Sequence, residues 1–174
     1  MKKRSQISPW PRSVLNSSEN ERYAKVLQIN PPLVIGPIVN YLNSLDSLNT
    51  SNQRTRDLML GKGKEEIPET GTFIWVDVRD LAEAHVKAME REEAQGKRFF
   101  VTAGYFSNRE IADIIRKNFP EYAEANPASA KGGRMPEALY KFDNKRSIDV
   151  LGLHYKPLEE SIVDLVKSLK QVGA

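Results

Sequence analysis

Apolar residues are sparse and without regular spacing over the first 22 positions, and the first strand-like segment begins at Tyr23. Residues 23–29 are rich enough in apolar and β-branched side chains to predict a strand, which Pro31 and Pro32 must end because proline cannot donate to a ladder. The next apolar triplet runs into Gly36-Pro37, which is a turn signal. Residues 28–37 therefore predict a buried strand that ends in a loop shaped by proline and glycine.

Helical and alternating patterns follow one another after this loop. Leucines across residues 38–60 have spacings that suit one or two short helices, separated near Asn49. Residues 72–78 and residues 97–102 are rich in β-prone side chains, so each predicts a strand. Residues 121–136, which are rich in Ala, Pro, Gly and Ser, predict a loop.

Three further helices are indicated by their N-terminal residues. Asp80 is expected to cap a helix with Glu83 three residues on, and Ser107 with Glu110 forms a Ser-x-x-Glu capping box before the next. Pro157 suits the first turn of a last helix. The first of these helices should present one apolar face, made of Leu81, Ala84, His85, Ala88 and Met89.

This order of strands and helices, with short connections, predicts an α/β protein. The chain has 174 residues, a length that suits one domain. We expect residues 1–22 to form an irregular basic arm and residues 23–174 to form a single α/β domain.

Charge is concentrated at the N-terminus. Of the 26 Lys and Arg residues, four lie among residues 1–12, which contain no acidic residue. The rest of the chain has 22 basic and 23 acidic residues. The body of the protein is therefore near neutral, and nucleic acid is not expected to be a partner of the basic arm.

Composition also limits the cellular setting. The chain has no cysteine, which excludes disulfides and cysteine metal sites and is compatible with a reducing compartment. Its sequence contains no apolar run long enough to cross a membrane and no apolar segment after the basic start that would suit secretion. We expect a cytoplasmic protein that does not associate with membranes.

Five segments, in this order, resemble one protein family. The sequence resembles the C-terminal half of extended short-chain dehydrogenase/reductases of the epimerase/dehydratase superfamily, nearest to fungal methylglyoxal and aldehyde reductases and to dihydroflavonol reductase-like proteins. The segments are NPPLVIGP at 30–37, SLNTS at 47–51, FIWVDVRDLAEAHVKAME at 73–90, GKRFFVTAGYFSNREIADIIRKNFPE at 96–121 and FDNKRSIDVLGLHYKPLEESIVDLVKSL at 142–169.

The resemblance implies the last strands of a Rossmann-type sheet, the small substrate-binding region, and NADP as cofactor. It implies that Pro31 and Val34 flank the nicotinamide and that Ser51 reaches the phosphate or ribose. It also implies a substrate pocket edged by Asn30, Gly36 and Pro37. Each position has a plainer interpretation beside this one, since Pro31 and Val34 suit a strand end and Ser51 suits a helix cap.

Two motifs on which the family's chemistry depends are missing from this sequence. The resemblance implies a tyrosine that protonates the carbonyl oxygen and a lysine four residues later, on the same helix face. No tyrosine here is followed by lysine at that spacing. A Gly-x-Gly-x-x-Gly turn between a strand and a helix, which would hold the pyrophosphate, is absent too. We therefore predict no catalytic residue and weak or no NADP binding by this chain alone.

Other polar residues give no stronger candidate. His85 is expected on the apolar face of its helix and His154 in a partly exposed loop or strand edge, and two histidines without cysteine give no metal site. Asp77, Asp80 and Glu83 lie close in sequence, but capping accounts for Asp80 and Glu83 better than acid–base chemistry does.

Two functional interpretations remain open. The first is a remnant or truncated NADP-dependent carbonyl reductase without independent catalysis. The second is a non-enzymatic interaction protein, or half of a split reductase that needs a partner chain. A parallel sheet that lacks its first strands would have an unpaired edge, which favours pairing with a second copy or with a partner chain.

Overall fold

The computed structural model describes residues 27–42 and 44–173, so the predicted basic arm at residues 1–22 lies entirely outside the described residues. The described part contains seven short strands and five α-helices. The strands are β1 (Gln28–Asn30), β2 (Leu33–Ile35), β3 (Glu66–Ile67), β4 (Ile74–Asp77), β5 (Arg98–Phe100), β6 (Gly104–Tyr105) and β7 (Lys131–Gly132). The helices are α1 (Thr50–Met59), α2 (Val78–Glu90), α3 (Asn108–Asn118), α4 (Lys145–Leu151) and α5 (Leu158–Gln171).

The strands form three small sheets that are mostly parallel. β1 pairs in parallel with β5, and β2 pairs in parallel with β4, which also pairs antiparallel with β6. A third parallel pair joins β3 to β7. The prediction of an α/β fold with the last strands of a larger parallel sheet is confirmed.

The predicted strand and proline-shaped loop at residues 28–37 are two strands with different neighbours. Pro31 and Pro32 interrupt the ladder between β1 and β2, because neither has an N–H to donate. In β1 only Ile29 is partly buried, whereas β2 ends in the fully buried Ile35. The prediction of one buried strand was therefore wrong for β1, and it missed that Leu33–Ile35 pairs as a strand.

Two hydrophobic clusters support these sheets. The larger cluster joins Ile35 and Trp75 to the inner faces of α1, α3 and α5. The smaller cluster packs Phe99 and Val101 against α2 and α4. Together they bury one face of every described α-helix. Ile35, in the larger cluster, directly precedes the Gly36-Pro37 loop and holds the start of that loop in place.

The helix predictions were largely right in position and less accurate at their ends. A 3₁₀ turn at Leu45–Ser47 followed by α1 matches the two short helices expected between residues 38 and 60. Pro157 is the N-cap of α5 and not a residue of its first turn. No helix in the described part of the chain is long and apolar enough to cross a membrane.

The cap of α2 was assigned to the wrong residue. Asp77 is the N-cap, and its carboxylate accepts a 2.7 Å hydrogen bond from the backbone N–H of Arg79. Asp80 lies inside the first turn and is buried. The helix begins one turn earlier than the sequence pattern indicated because Asp77, its N-cap, is itself the last residue of strand β4.

Candidate functional site

Asn30 and Pro31 lie where β1 ends, at the same edge as the end of β5. The carbonyl of Asn30 accepts a 3.1 Å hydrogen bond from the N–H of Val101, which fixes the end of the strand. Both Asn30 and Pro31 are exposed. Ligands of open α/β sheets bind beyond the carboxyl ends of the parallel strands, so these two residues lie on the side where a ligand is expected.

Val34 lies in the middle of β2 and packs against the smaller hydrophobic cluster. It is only partly buried, so part of its side chain remains accessible. The structure thus supports a strand role for Val34 and leaves some apolar surface for a ring to contact.

Gly36 must be glycine where β2 turns into the loop. Its φ of +144° is unfavourable for other residues, and a Cβ there would lie 2.9 Å from Cγ1 of Val78 and 3.3 Å from either carboxylate oxygen of Asp77. Its carbonyl accepts a 3.0 Å hydrogen bond from the side-chain amide of Asn52. Gly36 and the adjoining Pro37 are therefore held tightly between α1 and the start of α2.

Ser51 is the second residue of α1. The N-cap position is Asn49, so the interpretation of Ser51 as the cap was wrong. Its hydroxyl accepts a 2.6 Å hydrogen bond from the Asn49 side-chain amide and is half-buried. A hydroxyl in the first turn of a helix lies where backbone N–H groups and the helix dipole favour a phosphate.

Helix α1 contacts one end of the candidate site. Ser51 is adjacent in sequence to Asn52, whose amide binds the Gly36 carbonyl, so the first turn of α1 lies beside the Gly36-Pro37 loop. Asn30 and Pro31 lie at the other end of β2. The structure thus places the six predicted residues along the consecutive strands β1 and β2, the loop after β2 and the start of α1.

An ion-pair network around the buried Asp77, behind Gly36, was not predicted. The Asp77 carboxylate is fully buried and accepts hydrogen bonds from the Arg79 guanidinium at 2.9 Å and from the Ser161 hydroxyl at 2.5 Å. Arg79 also binds Asp164 at 2.7 Å. Burial alone raises the pKa of Asp77, but the hydrogen bonds from Arg79 and Ser161 outweigh it and lower that pKa below its usual value.

The neighbouring carboxylate behaves in the opposite way. Asp80 is buried, and it accepts a 2.8 Å hydrogen bond from the backbone N–H of Lys156. Burial raises its pKa, and the negative charge of Asp77 adds to this effect. Asp77 and Asp80 each bind groups of α5 or the segment before it, so both fasten α2 in place.

The histidines do not contribute to a site. The prediction for His85 was wrong, because its ring is exposed and Nδ1 lies 2.7 Å from the carbonyl of Leu81. Met89 of the same predicted face is 74% exposed, and Ala84 and Ala88 carry the actual contact. His154 is exposed. Within residues 27–42 and 44–173, no group of three His, Asp or Glu side chains could hold a metal ion.

The described tyrosines do not supply a proton donor of the expected kind. Tyr155 is half-buried, and burial raises its pKa while its hydroxyl lies 2.7 Å from the Ser147 hydroxyl. The Tyr105 hydroxyl donates to the carbonyl of Tyr140. A carbonyl reduction needs a tyrosine whose pKa is lowered by a neighbouring cation, whereas burial raises the pKa of Tyr155.

Comparison with known proteins identifies the reductases that this chain is similar to over part of their length. The chain is 44% identical over 160 residues to the ketoreductase azaE of Aspergillus niger, covering 91% of this chain and 47% of that protein. It is 33% identical over 144 residues to the NADPH-dependent methylglyoxal reductase GRE2 of Saccharomyces cerevisiae, covering 81% of this chain and 42% of that protein. This chain matches part of the extended short-chain dehydrogenase/reductases. No family model matches it.

Solved structures agree with the sequence relatives. The yeast methylglyoxal/isovaleraldehyde reductase Gre2 complexed with NADPH has a TM-score of 0.73 and 30% identity, covering 84% of this chain and 43% of that one. Vestitone reductase from alfalfa has a TM-score of 0.60 and 25% identity, covering 86% and 45%. The chain therefore spans less than half the length of each of these reductases, and it is homologous to NADPH-dependent carbonyl reductases over that part.

Proposed function

We propose that these 174 residues supply the substrate-side half of an NADP-dependent carbonyl reductase and do not catalyse reduction by themselves. The observation that carries this proposal is the 44% identity over 91% of the chain to a ketoreductase of which it covers 47%. The missing Tyr-x-x-x-Lys and Gly-x-Gly-x-x-Gly motifs support the second part, because proton transfer and pyrophosphate binding depend on them.

In this proposal the candidate residues form one wall of a shared cofactor site. Pro31 and Val34 would flank the nicotinamide, and the Ser51 hydroxyl would reach the phosphate or ribose. The remaining three, Asn30, Gly36 and Pro37, would edge the substrate pocket. Apolar packing and one hydroxyl can orient a ring, but they leave the phosphates without a Gly-rich backbone cradle, so NADP affinity of the isolated chain should be poor.

The free edge of β1 is the proposed docking site for the complementary half. Within the described residues β1 pairs only with β5, which leaves its other edge without a strand. A parallel strand from a nucleotide-binding half, in the same polypeptide or another, would pair there and continue the sheet.

Complementation in trans tests this proposal. The chain would be co-expressed with the portion of the Aspergillus niger ketoreductase that it does not cover, and NADPH-dependent reduction of methylglyoxal would be measured after co-purification. We expect a stable complex with turnover above that of either part alone. A matched complex with Ser51→Val should bind NADPH less tightly and keep its assembly.

The alternative is a non-enzymatic interaction protein that uses the same edge. A complex that co-purifies in stoichiometric amounts but neither binds nor oxidises NADPH would favour this alternative. Failure to form any complex would contradict both versions.

A further inference from the structure

A cleft lies along helix α1. Its volume is about 280 Å³, and the side chains that matter for its chemistry are Thr50, Gln53, Arg54, Asp57, Leu58 and Pro68. None of the predicted cofactor or substrate residues lines it. Ligand pockets for drug-sized molecules usually reach about 300–1,000 Å³, so this cleft suits a smaller molecule.

Arg54 is the principal charged group of the cleft. Its Nη1 donates to the carbonyl of Thr70 at 2.6 Å and to the side-chain oxygen of Asn108 at 3.1 Å. Both acceptors are neutral, and burial lowers the pKa of the guanidinium without any opposing carboxylate. The guanidinium therefore carries a positive charge that its described partners do not neutralise. Both hydrogen bonds described for it use Nη1, and its carbon lies 5.9 Å from the centre of the Phe106 ring.

The neighbouring groups favour a single negative charge on the ligand. Asp57, on the same wall, is engaged by Lys62 at 2.9 Å, so it does not pair with Arg54. Glu69 also lines the cleft and is exposed. Lys62 also lines the cleft and offsets the charge of Asp57, so Glu69 is the carboxylate that would repel a dianion more strongly than a monoanion.

Uncharged donors and apolar surface complete the arrangement. The described side-chain hydrogen bonds of α1 involve Ser51, Asn52 and Arg54, which leaves the Thr50 hydroxyl and the Gln53 amide available. Leu58 and Pro68 give the cleft an apolar side.

We infer that this cleft binds a small organic monocarboxylate, with Arg54 as the charged donor and Gln53 and Thr50 beside it. A guanidinium binds a carboxylate through two parallel hydrogen bonds, and the carbon chain would contact Leu58 and Pro68. The cleft shares no residue with the proposed reductase site, but its Thr50 directly precedes Ser51 in the first turn of α1.

The test uses the full chain, labelled with ¹⁵N, and sodium butyrate as the probe. We expect saturable chemical-shift changes at the Gln53 side-chain amide and at the backbone of residues 53–58. 1-Butanol at the same concentration should not reproduce these shifts, and neither should sodium chloride at the ionic strength of the butyrate solution. Inorganic phosphate should bind at least tenfold more weakly than butyrate. Absence of a saturable butyrate response, or an equal response to 1-butanol, would overturn the inference.

Two variants separate binding from a purely structural role of Arg54. Arg54→Gln should weaken butyrate binding at least tenfold, but Arg54 also connects α1 to Thr70, so this variant can lose stability. Gln53→Glu changes an exposed residue and adds a negative charge to the cleft, so it should weaken binding at least fivefold with the fold intact. The matched control Gln95→Glu should bind like the wild type, and unchanged binding by Gln53→Glu would refute the proposed site.

Discussion

Gly36 limits what the candidate loop tolerates at the scale of a single residue. Gly36→Ala would place a methyl group 2.9 Å from Val78 at a φ of +144°, and we expect it to lower the free energy of unfolding by about 1–3 kcal/mol. Gly104→Ala is the control, since a Cβ there meets nothing within 4 Å. Urea unfolding of both variants measures the difference, and equal stability would contradict the tight packing of the loop.

Asp77 should contribute much more stability than an exposed acid. Asp77→Asn removes the charge that Arg79 and Ser161 bind, and we expect a loss of about 2–3 kcal/mol at pH 7. Asp113→Asn, which breaks a partly exposed pair with Arg116, should cost no more than about 0.5 kcal/mol.

The difference in free energy of unfolding between the wild type and Asp77→Asn should depend on pH, because the pKa of Asp77 is lowered in the folded state. Its stabilisation is complete above the unfolded-state pKa, near about 4, and is lost as the pH falls through the lower folded-state pKa. The gap between wild type and Asp77→Asn should therefore narrow below about pH 4. A gap that widens in acid would contradict the assignment.

Asp80 should show the opposite pH dependence. Burial raises the pKa of Asp80, so above that pKa its ionised carboxylate lowers the free energy of unfolding. This loss of stability disappears as the pH falls and the carboxylate is protonated in both the folded and the unfolded state. The free energy of unfolding of Asp80→Asn, relative to that of the wild type, should therefore be higher at pH 7 than at pH 4. Unfolding in urea at the two pH values tests this, and an inverted order would contradict the assignment.

Single-residue roles were predictable where they depended on neighbours in sequence. The need for glycine near residue 36 could be inferred from Gly36-Pro37 after a strand. The partnership of Asp77 with Ser161 could not, because it joins residues 84 positions apart that only the fold brings together. His85 was misassigned because helical spacing alone does not say how wide the buried face is.

The helix ends provide the sharpest prediction at the scale of elements. Ser107 accepts a hydrogen bond from the N–H of Glu110 at 3.2 Å, so Ser107→Ala should destabilise the protein by about 1 kcal/mol. Asn49 occupies the N-cap of α1 without a capping bond, so Asn49→Ala should cost much less. Thermal unfolding compares the two, and equal losses would argue against the cap at Ser107.

Elements with strong local signals were predicted well. The Ser107 and Glu110 pair and the apolar stripe of α5 identify their helices from sequence alone. Helix α4 was missed because its seven residues carry little periodicity. Its C-cap is Gly152, which adopts a left-handed conformation. The short strands β3 and β7 were missed because two residues each give no alternating pattern.

At the scale of the whole molecule, the described fold matches part of larger solved reductase structures. β1 and β5 are a two-stranded parallel pair, whereas parallel sheets are normally covered on both faces and extended by further strands. The resemblance to a reductase half was predictable because five ordered segments carried it. The split of residues 28–35 between two sheets was not, because register depends on partners distant in sequence.

The central claim is that this chain lacks the groups needed for proton delivery and pyrophosphate binding. The most direct test is the rate of NADPH oxidation by the purified 174-residue chain with methylglyoxal as substrate, measured against a no-enzyme control. We predict a rate indistinguishable from that control. Sustained oxidation that scales with protein concentration would contradict the claim.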